Sequence, residues 1–346
     1  MSQKETKQTF WDNLEKPFSV LAPMEDVTDT VFRRLVANCG RPDVFFTEFT
    51  STDGLFSPGR EAVIHRLQFT EEERPLVAQI WGNNPENYYK AAKLLVDMNF
   101  DGIDINMGCP VPKIVKNGCC SALIDNHPLA KELILAAKEG AGDIPVSVKT
   151  RLGFKKKKTE EWVNFLLDLQ PAAICLHGRT AKQMSKVPAD WEEIGKAVIL
   201  RNQKKLRTPI IGNGDITSML QAQDMHTKYG VDGVMIGRGV FNDLYVFNKS
   251  ISRPIFAELD TNLKLKMLLE HAEAYCSRWQ GSRSFNAMKK FFKIYISNFK
   301  DAGTLRGKLV EEANSLDDLK MIISDFLESN SFGQFEHSIL SNNQIR

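Results

Sequence analysis

Residues 102–110 read GIDINMGCP, and this stretch shows the unit from which the fold is built. Its short apolar run is typical of a buried strand, and the glycine and proline that follow end the strand. Seven further stretches show the same pattern. The eight predicted strands are residues 18–22, 43–48, 76–81, 102–106, 145–149, 172–177, 208–212 and 232–236. Amphipathic helical patterns separate them, so the sequence predicts an α/β protein whose parallel sheet is covered by helices.

The helix patterns between the strands begin and end at suitable capping residues. An apolar stripe over residues 32–39 precedes Gly40, a residue type that often follows the last turn of a helix. Asn84 and Pro85 suit the cap and the first position of another helix. Eight strand and helix units predict a closed (β/α)₈ TIM barrel, and the alternative with the same alternation is an open, doubly wound sheet.

The strand pattern ends near residue 252, and only helical periodicity follows it. We therefore predict that a smaller all-helical C-terminal domain follows the barrel. The predicted division is a polar N-terminal segment (1–16), the barrel (17–252), the helical domain (253–328) and a polar tail (329–346).

The composition of the chain is that of a globular protein and excludes disordered and fibrous classes. Of its 346 residues, 42% are hydrophobic and 25% are charged. Residues 1–16 contain no apolar run that could act as a signal peptide or cross a membrane, so we expect a cytoplasmic, membrane-free protein. The six cysteines lack Cys-x-x-Cys spacing, and in a reducing compartment a disulfide framework is not expected. A net charge of +2 is too small to indicate a polyanionic partner.

Polar residues lie at the carboxyl ends of six consecutive predicted strands, where TIM barrels carry their active sites. They are Gln79, Asn106, Lys149, His177, the turn 212–215 (Gly-Asn-Gly-Asp) and the turn 237–239 (Gly-Arg-Gly). Glycines in the last two turns let backbone N–H groups approach an anion, and Arg238 adds a positive charge, which predicts a phosphate-bearing cofactor. The alternative is that these glycines only form tight turns.

Two of these side chains leave alternatives open. Lys149 stands in an apolar strand and needs an anionic partner or a lowered pKa, so it either contacts the edge of a flavin ring or forms an imine with a substrate. The neutral amides of Gln79 and Asn106 favour the first alternative because they suit hydrogen bonds to a ring edge or a base. His177 either binds the cofactor or is a core histidine.

Cys109 follows the fourth strand in a Gly-Cys-Pro turn at the predicted barrel mouth. A thiol in this position is a nucleophile, a metal ligand or a general acid. Metal binding is disfavoured because no second Cys or His has ligand spacing, and we expect no metal. Acid catalysis requires a thiol pKa near or above neutrality.

The ordered motifs of the chain resemble those of the tRNA dihydrouridine synthases, and the resemblance covers nearly the whole chain. The matching motifs are APMEDVTD (22–29), QIWG (79–82), DINMGCP (104–110), VKTR (148–151), HGRT (177–180), GNGDI (212–216) and IGRG (236–239). One departure is the acidic pair Glu25 and Asp26, where small residues are common in the family.

The resemblance implies FMN as cofactor, NADPH or NADH as its reductant and tRNA as substrate. Hydride then passes from flavin N5 to C6 of a uridine, Cys109 protonates C5, and Asn106 contacts the base edge. The implied cofactor contacts are Pro23, Met24, Glu25, Gln79, Lys149, His177, Asn213, Gly214, Asp215, Gly237 and Arg238.

A basic stretch in the helical domain predicts contacts to RNA phosphates. Between residues 278 and 308 lie eight Lys and Arg residues against the single acid Asp301, and the alternative is a solvated helix face. The expected substrate contacts are Asn106, Arg179, Arg278, Lys289 and Lys290. The run 155–158 (four lysines) is either a second contact or a solvated charge run.

Two other functions remain as alternatives, and a different feature of the sequence argues against each. A dihydroorotate dehydrogenase-like FMN enzyme would act on a small free substrate and would not need this domain. An idle RNA-binding barrel would not need Cys109. We expect the protein to act as a monomer.

Overall fold

The sheet of this protein consists of nine parallel strands. The computed structural model describes residues 8–250 and 252–330, and the strands below are those of this part of the chain. They are β1 (Phe18–Leu21), β2 (Phe45–Phe46), β3 (Thr50–Ser51), β4 (Leu76–Trp81), β5 (Gly102–Met107), β6 (Val146–Arg151), β7 (Ile174–His177), β8 (Ile210–Asn213) and β9 (Gly233–Ile236). Their order is β1-β9-β8-β7-β6-β5-β4-β2, with β3 also paired to β4.

The sheet closes into the predicted (β/α)₈ barrel. The first strand pairs with the last, in a register that aligns Phe18 with Gly233, and a parallel bridge between Val20 and Val44 joins β1 to the segment before β2. An open, doubly wound sheet has two free edges, so this closure excludes the alternative.

The second strand of the barrel differs from its prediction as one run over 43–48. The structure has β2 within this range and β3 just after it, and between them the Thr47 hydroxyl takes part in the pairing with β4. This hydroxyl accepts a hydrogen bond from the Gln79 N–H at 3.1 Å and donates one to the Glu48 carbonyl at 2.7 Å. A side chain that replaces a backbone partner interrupts the regular ladder, and strand periodicity does not reveal it.

The helices of the barrel unit lie between these strands. They are α1 (Thr30–Cys39), α2 (Thr52–Leu55), α3 (Glu61–Ile64), α4 (Pro85–Asp97), α5 (Pro112–Lys116), α6 (His127–Ala141), α7 (Thr159–Asp168), α8 (Trp191–Gln203) and α9 (Met219–Tyr229). Asn84 caps α4 through its side chain, Pro85 is the first residue of that helix, and Gly40 follows α1, as predicted. Short 3₁₀ helices occupy Phe10–Asn13, His65–Leu67, Glu71–Glu73, Cys120–Asp125 and Arg238–Phe241.

Trp11 closes the barrel at the amino-terminal ends of the strands. Its side chain is 1% exposed, and its ring centroid lies 5.8 Å from that of Phe18 and 6.5 Å from that of Phe46. The sequence predicted only a polar segment over 1–16, of which 1–7 lie outside the described residues. One aromatic residue in a polar segment has no periodicity, so its burial could not be read from the sequence.

The described part of the chain forms two compact units, one of residues 8–240 and 244–253 except 251, the other of 241–243 and 254–330. The second unit is helical, with α10 (Thr261–Trp279), α11 (Phe292–Tyr295), α12 (Ala302–Glu312), α13 (Leu316–Ser329) and the 3₁₀ helices Phe256–Glu258 and Phe285–Phe291. In its core the Nδ1 atom of His271 lies 2.9 Å from the Tyr295 hydroxyl. Of the predicted tail, 331–346 lie outside the described residues. None of the described helices combines the length and hydropathy needed to cross a bilayer.

Candidate active site at the barrel mouth

A chain of buried hydrogen bonds crosses the carboxyl ends of β4 and β5. The Nδ2 atom of Asn106 donates to Oε1 of Gln79 at 3.0 Å, and Nε2 of Gln79 donates to Oδ2 of Asp104 at 2.7 Å. The other Asp104 oxygen accepts a hydrogen bond from the Ser147 hydroxyl at 2.7 Å. Each amide can donate only through its nitrogen. The carboxylate at one end therefore sets the direction of every hydrogen bond in this series.

Asp104 is fully buried, and burial raises its pKa to about 6. The hydrogen bonds from Ser147 and Gln79 and the positive charge of Lys149 oppose this rise. Gln79 is also fully buried and uses both ends of its amide within the chain. The predicted contact of Gln79 with a cofactor stays a prediction, and it would use the second hydrogen of the amide nitrogen or the second lone pair of the amide oxygen.

The loop that carries Cys109 is held by these groups. Oδ1 of Asn106 accepts hydrogen bonds from the backbone N–H groups of Gly108 at 3.1 Å and Cys109 at 2.9 Å. Nε of Arg151 donates to the Gly108 carbonyl at 2.7 Å, and the Ser121 N–H donates to the Cys109 carbonyl at 3.3 Å. The position of the Cys109 backbone thus depends on contacts from both sides of the loop.

The thiol of Cys109 is half-buried, and its pKa is lowered to about 7. The largest cause is a hydrogen bond from the Cys120 thiol, which stabilises the thiolate. Burial opposes this shift, while the Val111 N–H and the charges of Arg151 and Lys149 favour it. At neutral pH the thiol and the thiolate are present in comparable amounts.

Arg151 is a site residue that sequence reasoning missed as an individual contact. It ends β6, is 9% exposed, and donates from Nη1 to the carbonyls of Thr180 at 3.2 Å and Met184 at 3.0 Å. It therefore joins the Cys109 loop to the segment after β7. Its place in the motif 148–151 was the available sign, but only the fold shows where its guanidinium points.

Lys149 and Asn213 meet at the mouth. Nζ of Lys149 donates to Oδ1 of Asn213 at 3.2 Å, and Nδ2 of Asn213 donates to the Met235 carbonyl at 2.8 Å. Burial lowers the pKa of Lys149. An amide oxygen does not neutralise an ammonium group, so this corner of the site suits an additional acceptor or negative charge.

His177 ends β7 and is held in its neutral form. Burial, together with the charges of Arg151, Lys149, Arg179 and Arg238, lowers its pKa far below the ordinary value. Nη1 of Arg179 lies 3.1 Å from His177 Nε2. A guanidinium group only donates, so Nε2 accepts and the ring proton lies on Nδ1.

Arg179 is placed in the interior, and its predicted role as a substrate contact is not supported. It is 3% exposed, and its Nη2 lies 2.6 Å and 2.5 Å from the two carboxylate oxygens of Asp215. Nε donates to the Val187 carbonyl at 2.5 Å. Burial acts to raise the pKa of Asp215, but the hydrogen bonds from Arg179 and the Ala189 N–H together outweigh it and lower this pKa. The Asp215 side chain therefore pairs with Arg179.

The two glycine turns and Arg238 form the open part of the mouth. Gly214 has φ +131° and no space for a side chain, since a Cβ would lie 2.6 Å from Cβ of Ala189. At Gly237 a Cβ would lie 3.5 Å from Cβ of Ala22 and 3.7 Å from Sδ of Met24, so the glycine leaves a gap beside these residues. The Arg238 side chain is 67% exposed, and its nearest carboxylate oxygen, on Asp215, is 4.0 Å away. Its charge is available to an anion.

The segment after β1 borders the same gap. Pro23, Met24 and Glu25 are half-buried. The Glu25 carboxylate pairs with Arg66, whose Nη2 and Nε lie 2.6 Å and 2.9 Å from Oε1. The negative charge that distinguishes this chain from the family pattern is thus compensated, and the Asp26 N–H donates to the Glu48 carboxylate at 2.7 Å.

The basic residues of the helical unit have different surroundings. Arg278 and Lys290 are exposed. Lys289 is half-buried, and its Nζ donates to the Val310 carbonyl at 2.8 Å, so its ammonium group stabilises the last turn of α12. In the run 155–158 of the barrel unit, Lys157 pairs with Asp190 and Lys158 with Asp125. The Lys289 hydrogen bond disfavours the predicted RNA contact of that residue. For the run, both a second RNA contact and a solvated charge run stay open, because Lys155 and Lys156 are exposed.

Comparison with known proteins gives a consistent result. The family model described as "Dihydrouridine synthase (Dus)" matches residues 20–329. The chain is 43% identical to the "Probable tRNA-dihydrouridine synthase 2" of Bacillus subtilis (strain 168) over 321 residues, which cover 92% of this chain and 97% of that protein. It is 41% identical to the "Probable tRNA-dihydrouridine synthase" of Staphylococcus aureus (strain COL) over 324 residues, which cover 92% and 96%.

Among solved structures, the chain resembles a 2-naphthoyl-CoA reductase complex with a TM-score of 0.53 at 10% sequence identity. The similarity covers 69% of this chain and 50% of that one. At this identity the comparison concerns the fold of the barrel alone.

Proposed function

Because this chain belongs to the dihydrouridine synthase family, we propose that it reduces the C5–C6 double bond of uridines in tRNA, with FMN as cofactor and NADPH as reductant. The observation that carries the proposal is the Cys109 thiol, with a pKa near 7, on a braced loop at the mouth of the barrel. The family match favours this function over that of a dihydroorotate dehydrogenase-like enzyme. An idle barrel would have no use for a thiol tuned in this way.

The residues of the mouth fit FMN. The gap at Gly237 is bounded by the side chains of Ala22 and Met24, and the exposed Arg238 suits the phosphate. Lys149 holds a positive charge against a neutral amide, which suits the N1/O2 edge of the ring. The residues proposed to hold FMN are Pro23, Met24, Glu25, Lys149, His177, Asn213, Gly214, Asp215, Gly237 and Arg238, with Glu25 and Asp215 acting through their backbones. When bound, this cofactor supplies the hydride.

The neutral state of His177 supports this assignment. A neutral imidazole beside several cations adds no further positive charge, and its Nδ1–H remains available as a hydrogen-bond donor. Arg179 acts as a positioning residue, since its hydrogen bond to Nε2 selects this tautomer.

Cys109 is proposed to give its proton to C5 of the uridine. Reduction builds negative charge on the pyrimidine, and an acid with a pKa near the working pH can both donate a proton and regain it. Asn106 holds the Cys109 N–H, and Asp104 and Gln79 hold Asn106, so these three residues position the acid. Arg151 donates to the carbonyl of Gly108, the residue before Cys109, and so helps to fix the loop.

A uridine within a folded tRNA reaches such a pocket only after it leaves the base stack. Exposed cations of the helical unit, among them Arg278 and Lys290, are proposed to bind the phosphates that hold the tRNA in place.

The proposal is tested with tRNA transcribed in vitro, which contains no dihydrouridine. Purified protein, FMN and NADPH are incubated anaerobically with this tRNA, and dihydrouridine is quantified by mass spectrometry of the nucleosides. We expect dihydrouridine at defined positions and a lower rate with NADH. A protein that binds flavin but forms no dihydrouridine, even with chemically reduced flavin, would contradict the proposal.

A further inference from the structure

A second thiol lies beside the proposed catalytic acid. Cys120 begins the 3₁₀ helix Cys120–Asp125, and the N–H of the next residue, Ser121, donates to the Cys109 carbonyl at 3.3 Å. This backbone bond holds the two cysteine segments together. The Cys120 side chain also faces that of Cys109 closely enough for each thiol to shift the pKa of the other.

Cys120 occupies a backbone conformation that is unfavourable for a cysteine. Its φ is +55°, in the left-handed region, where a residue with a Cβ is less stable than glycine. Its neighbour Cys119 has an extended conformation with φ −97°. Glycine would remove the strain at position 120. This backbone conformation holds the buried Cys120 side chain beside the Cys109 loop.

The environments of the two thiols are complementary. Cys109 is half-buried and reaches solvent, and its sulfur carries thiolate character at neutral pH. Cys120 is fully buried, and its pKa is raised well above the ordinary value, mainly because it donates its proton to Cys109. An oxidant that enters the mouth therefore meets Cys109 first, and Cys120 is behind it.

We propose that Cys109 and Cys120 form a reversible disulfide when a hydroperoxide reaches the barrel mouth, and that this disulfide switches the enzyme off. The Cys109 sulfur attacks one peroxide oxygen, the O–O bond breaks, and Cys109 becomes a sulfenic acid while water leaves. The Cys120 sulfur then attacks the Cys109 sulfur, the S–O bond breaks, and the hydroxyl group leaves as water with the Cys120 proton. Overall, two thiols are oxidised and one hydroperoxide is reduced to two molecules of water, or to water and an alcohol.

The disulfide has two consequences. Cys109 no longer holds a proton for the pyrimidine, so reduction of uridine stops. It is also protected from irreversible oxidation to sulfinic acid, because the second thiol reacts before another peroxide does. A dithiol reverses the state by thiol–disulfide exchange and is itself oxidised to a disulfide.

The test is peptide mapping of the FMN-loaded full-length protein after treatment with hydrogen peroxide. Trypsin separates the two cysteines, because Lys113 and Lys116 lie between them, and it produces the peptides 94–113 and 117–131. We expect these peptides to be joined, with the loss of two hydrogen atoms, and dithiothreitol to separate them and restore turnover. The mass readout does not depend on tRNA turnover, so it stands even if the proposed substrate is wrong.

Cys119 supplies the matched control, since it lies in the same peptide beside Cys120. Its sulfur lies 3.7 Å from the Asn117 carbonyl, and burial raises its pKa to about 11. Cys119→Ala should keep the joined peptides. Cys120→Gly, which also removes the strain, should lose them and accumulate Cys109 sulfinic acid that dithiothreitol cannot reverse. Joined peptides in Cys120→Gly, or sulfinic acid without joined peptides in the unmodified protein, would overturn the proposal.

Discussion

At the scale of single residues, the properties of Cys109 come from its neighbours more than from its exposure. Burial alone would raise the pKa of a thiol and make it a weak acid. The hydrogen bond from Cys120, the Val111 N–H and the positive charges of Arg151 and Lys149 reverse that effect and bring the pKa to about 7. The sequence predicted an acid at this position, but Cys120, Lys149 and Arg151 lie further along the chain and are brought to it only by the fold.

The role of Cys109 as an acid makes a prediction for the dependence of the rate on pH. Only the protonated thiol can donate, so turnover should be constant below about pH 7 and fall as pH rises above it. Cys109→Ser should lower the rate and remove this fall, because a hydroxyl group stays protonated. Cys109→Ala should lower turnover by roughly 10²–10⁴-fold. Single-turnover rates between pH 6 and about 9, with flavin absorbance as a check on binding, measure these effects.

Two further variants test whether the neighbouring cysteines set the pKa of Cys109. Cys120→Ala removes the largest cause of the lowered pKa, so the fall in rate should move to higher pH. Cys119→Ala should leave the profile unchanged. A fall near pH 7 that persists in Cys109→Ser would assign it to another group.

Asp104 makes a second prediction, on the dependence of stability on pH. Its pKa is raised from 3.8 to about 6, so the folded protein binds this proton more tightly than the unfolded chain does. The stabilisation from that proton is fully present below about pH 4 and is lost as pH rises through 6. A shift of this size corresponds to a loss on the order of 3 kcal/mol. Denaturation midpoints of the unmodified protein should therefore fall over this range relative to those of Asp104→Asn, and parallel curves would contradict the assignment.

Asp104→Asn and Asp104→Ala form a matched pair for the positioning role. Asparagine can still accept from Gln79 and turn its amide nitrogen to the Ser147 oxygen, so the direction of the chain is kept. Alanine leaves Gln79 without its acceptor. We expect the Cys109 pH profile to survive in the first variant and to be altered in the second.

At the scale of elements, the strands and helices could be predicted because burial imposes a regular pattern on the sequence. The barrel strands are apolar on both faces, and Asn84 and Gly40 mark helix ends through local hydrogen bonds and backbone conformation. What could not be predicted depends on single long-range contacts. Thr47 divides the second strand through one hydroxyl, and Trp11 enters the core from a polar segment.

The ion pair between Arg33 of α1 and Glu73 of the 3₁₀ helix Glu71–Glu73 is another such contact. Both side chains are fully buried, and Nε of Arg33 lies 2.5 Å from Oε2 of Glu73. Arg33 Nη1 also donates to the Thr28 carbonyl at 2.5 Å, so the pair supports the segment after β1 that borders the gap at Gly237.

This arrangement predicts that Glu73→Ala is strongly destabilising. Removal of one partner leaves a buried, uncompensated guanidinium group, at a cost of about 3–5 kcal/mol in the free energy of unfolding. The adjacent Glu72, whose side chain is 65% exposed and pairs with Arg34, provides the control. Glu72→Ala should cost at most about 0.5 kcal/mol. Chemical denaturation of the two variants measures the difference, and equal losses would show that the buried pair is not needed.

At the scale of the whole molecule, the order of motifs allowed the fold and family to be predicted, whereas the surface that meets the RNA was predicted only in part. The basic stretch from 278 to 308 could be recognised by composition. Which of its charges face solvent could not, because Lys289 and Arg306 turn to the carbonyls of Val310 and Ile296. The sequence shows how many cations a stretch contains. Only the fold shows which of them stabilise helix ends and which can contact a phosphate.

The last prediction concerns exposed cations of the helical unit. Lys290 and Lys293 are exposed, so Lys290→Glu with Lys293→Glu should weaken tRNA binding and lower the slope of log affinity against log salt by about 1–2. Lys131→Glu with Lys205→Glu, on the exposed surface of α6 and just after α8, changes the net charge by the same amount and should leave this slope nearly unchanged. Binding to tRNA transcribed in vitro is measured over a range of KCl concentrations, with flavin content and melting temperature as checks on folding. Because counterion release is local to the phosphates that are contacted, equal slopes for the two double variants would mean that total charge, rather than the helical unit, attracts the RNA.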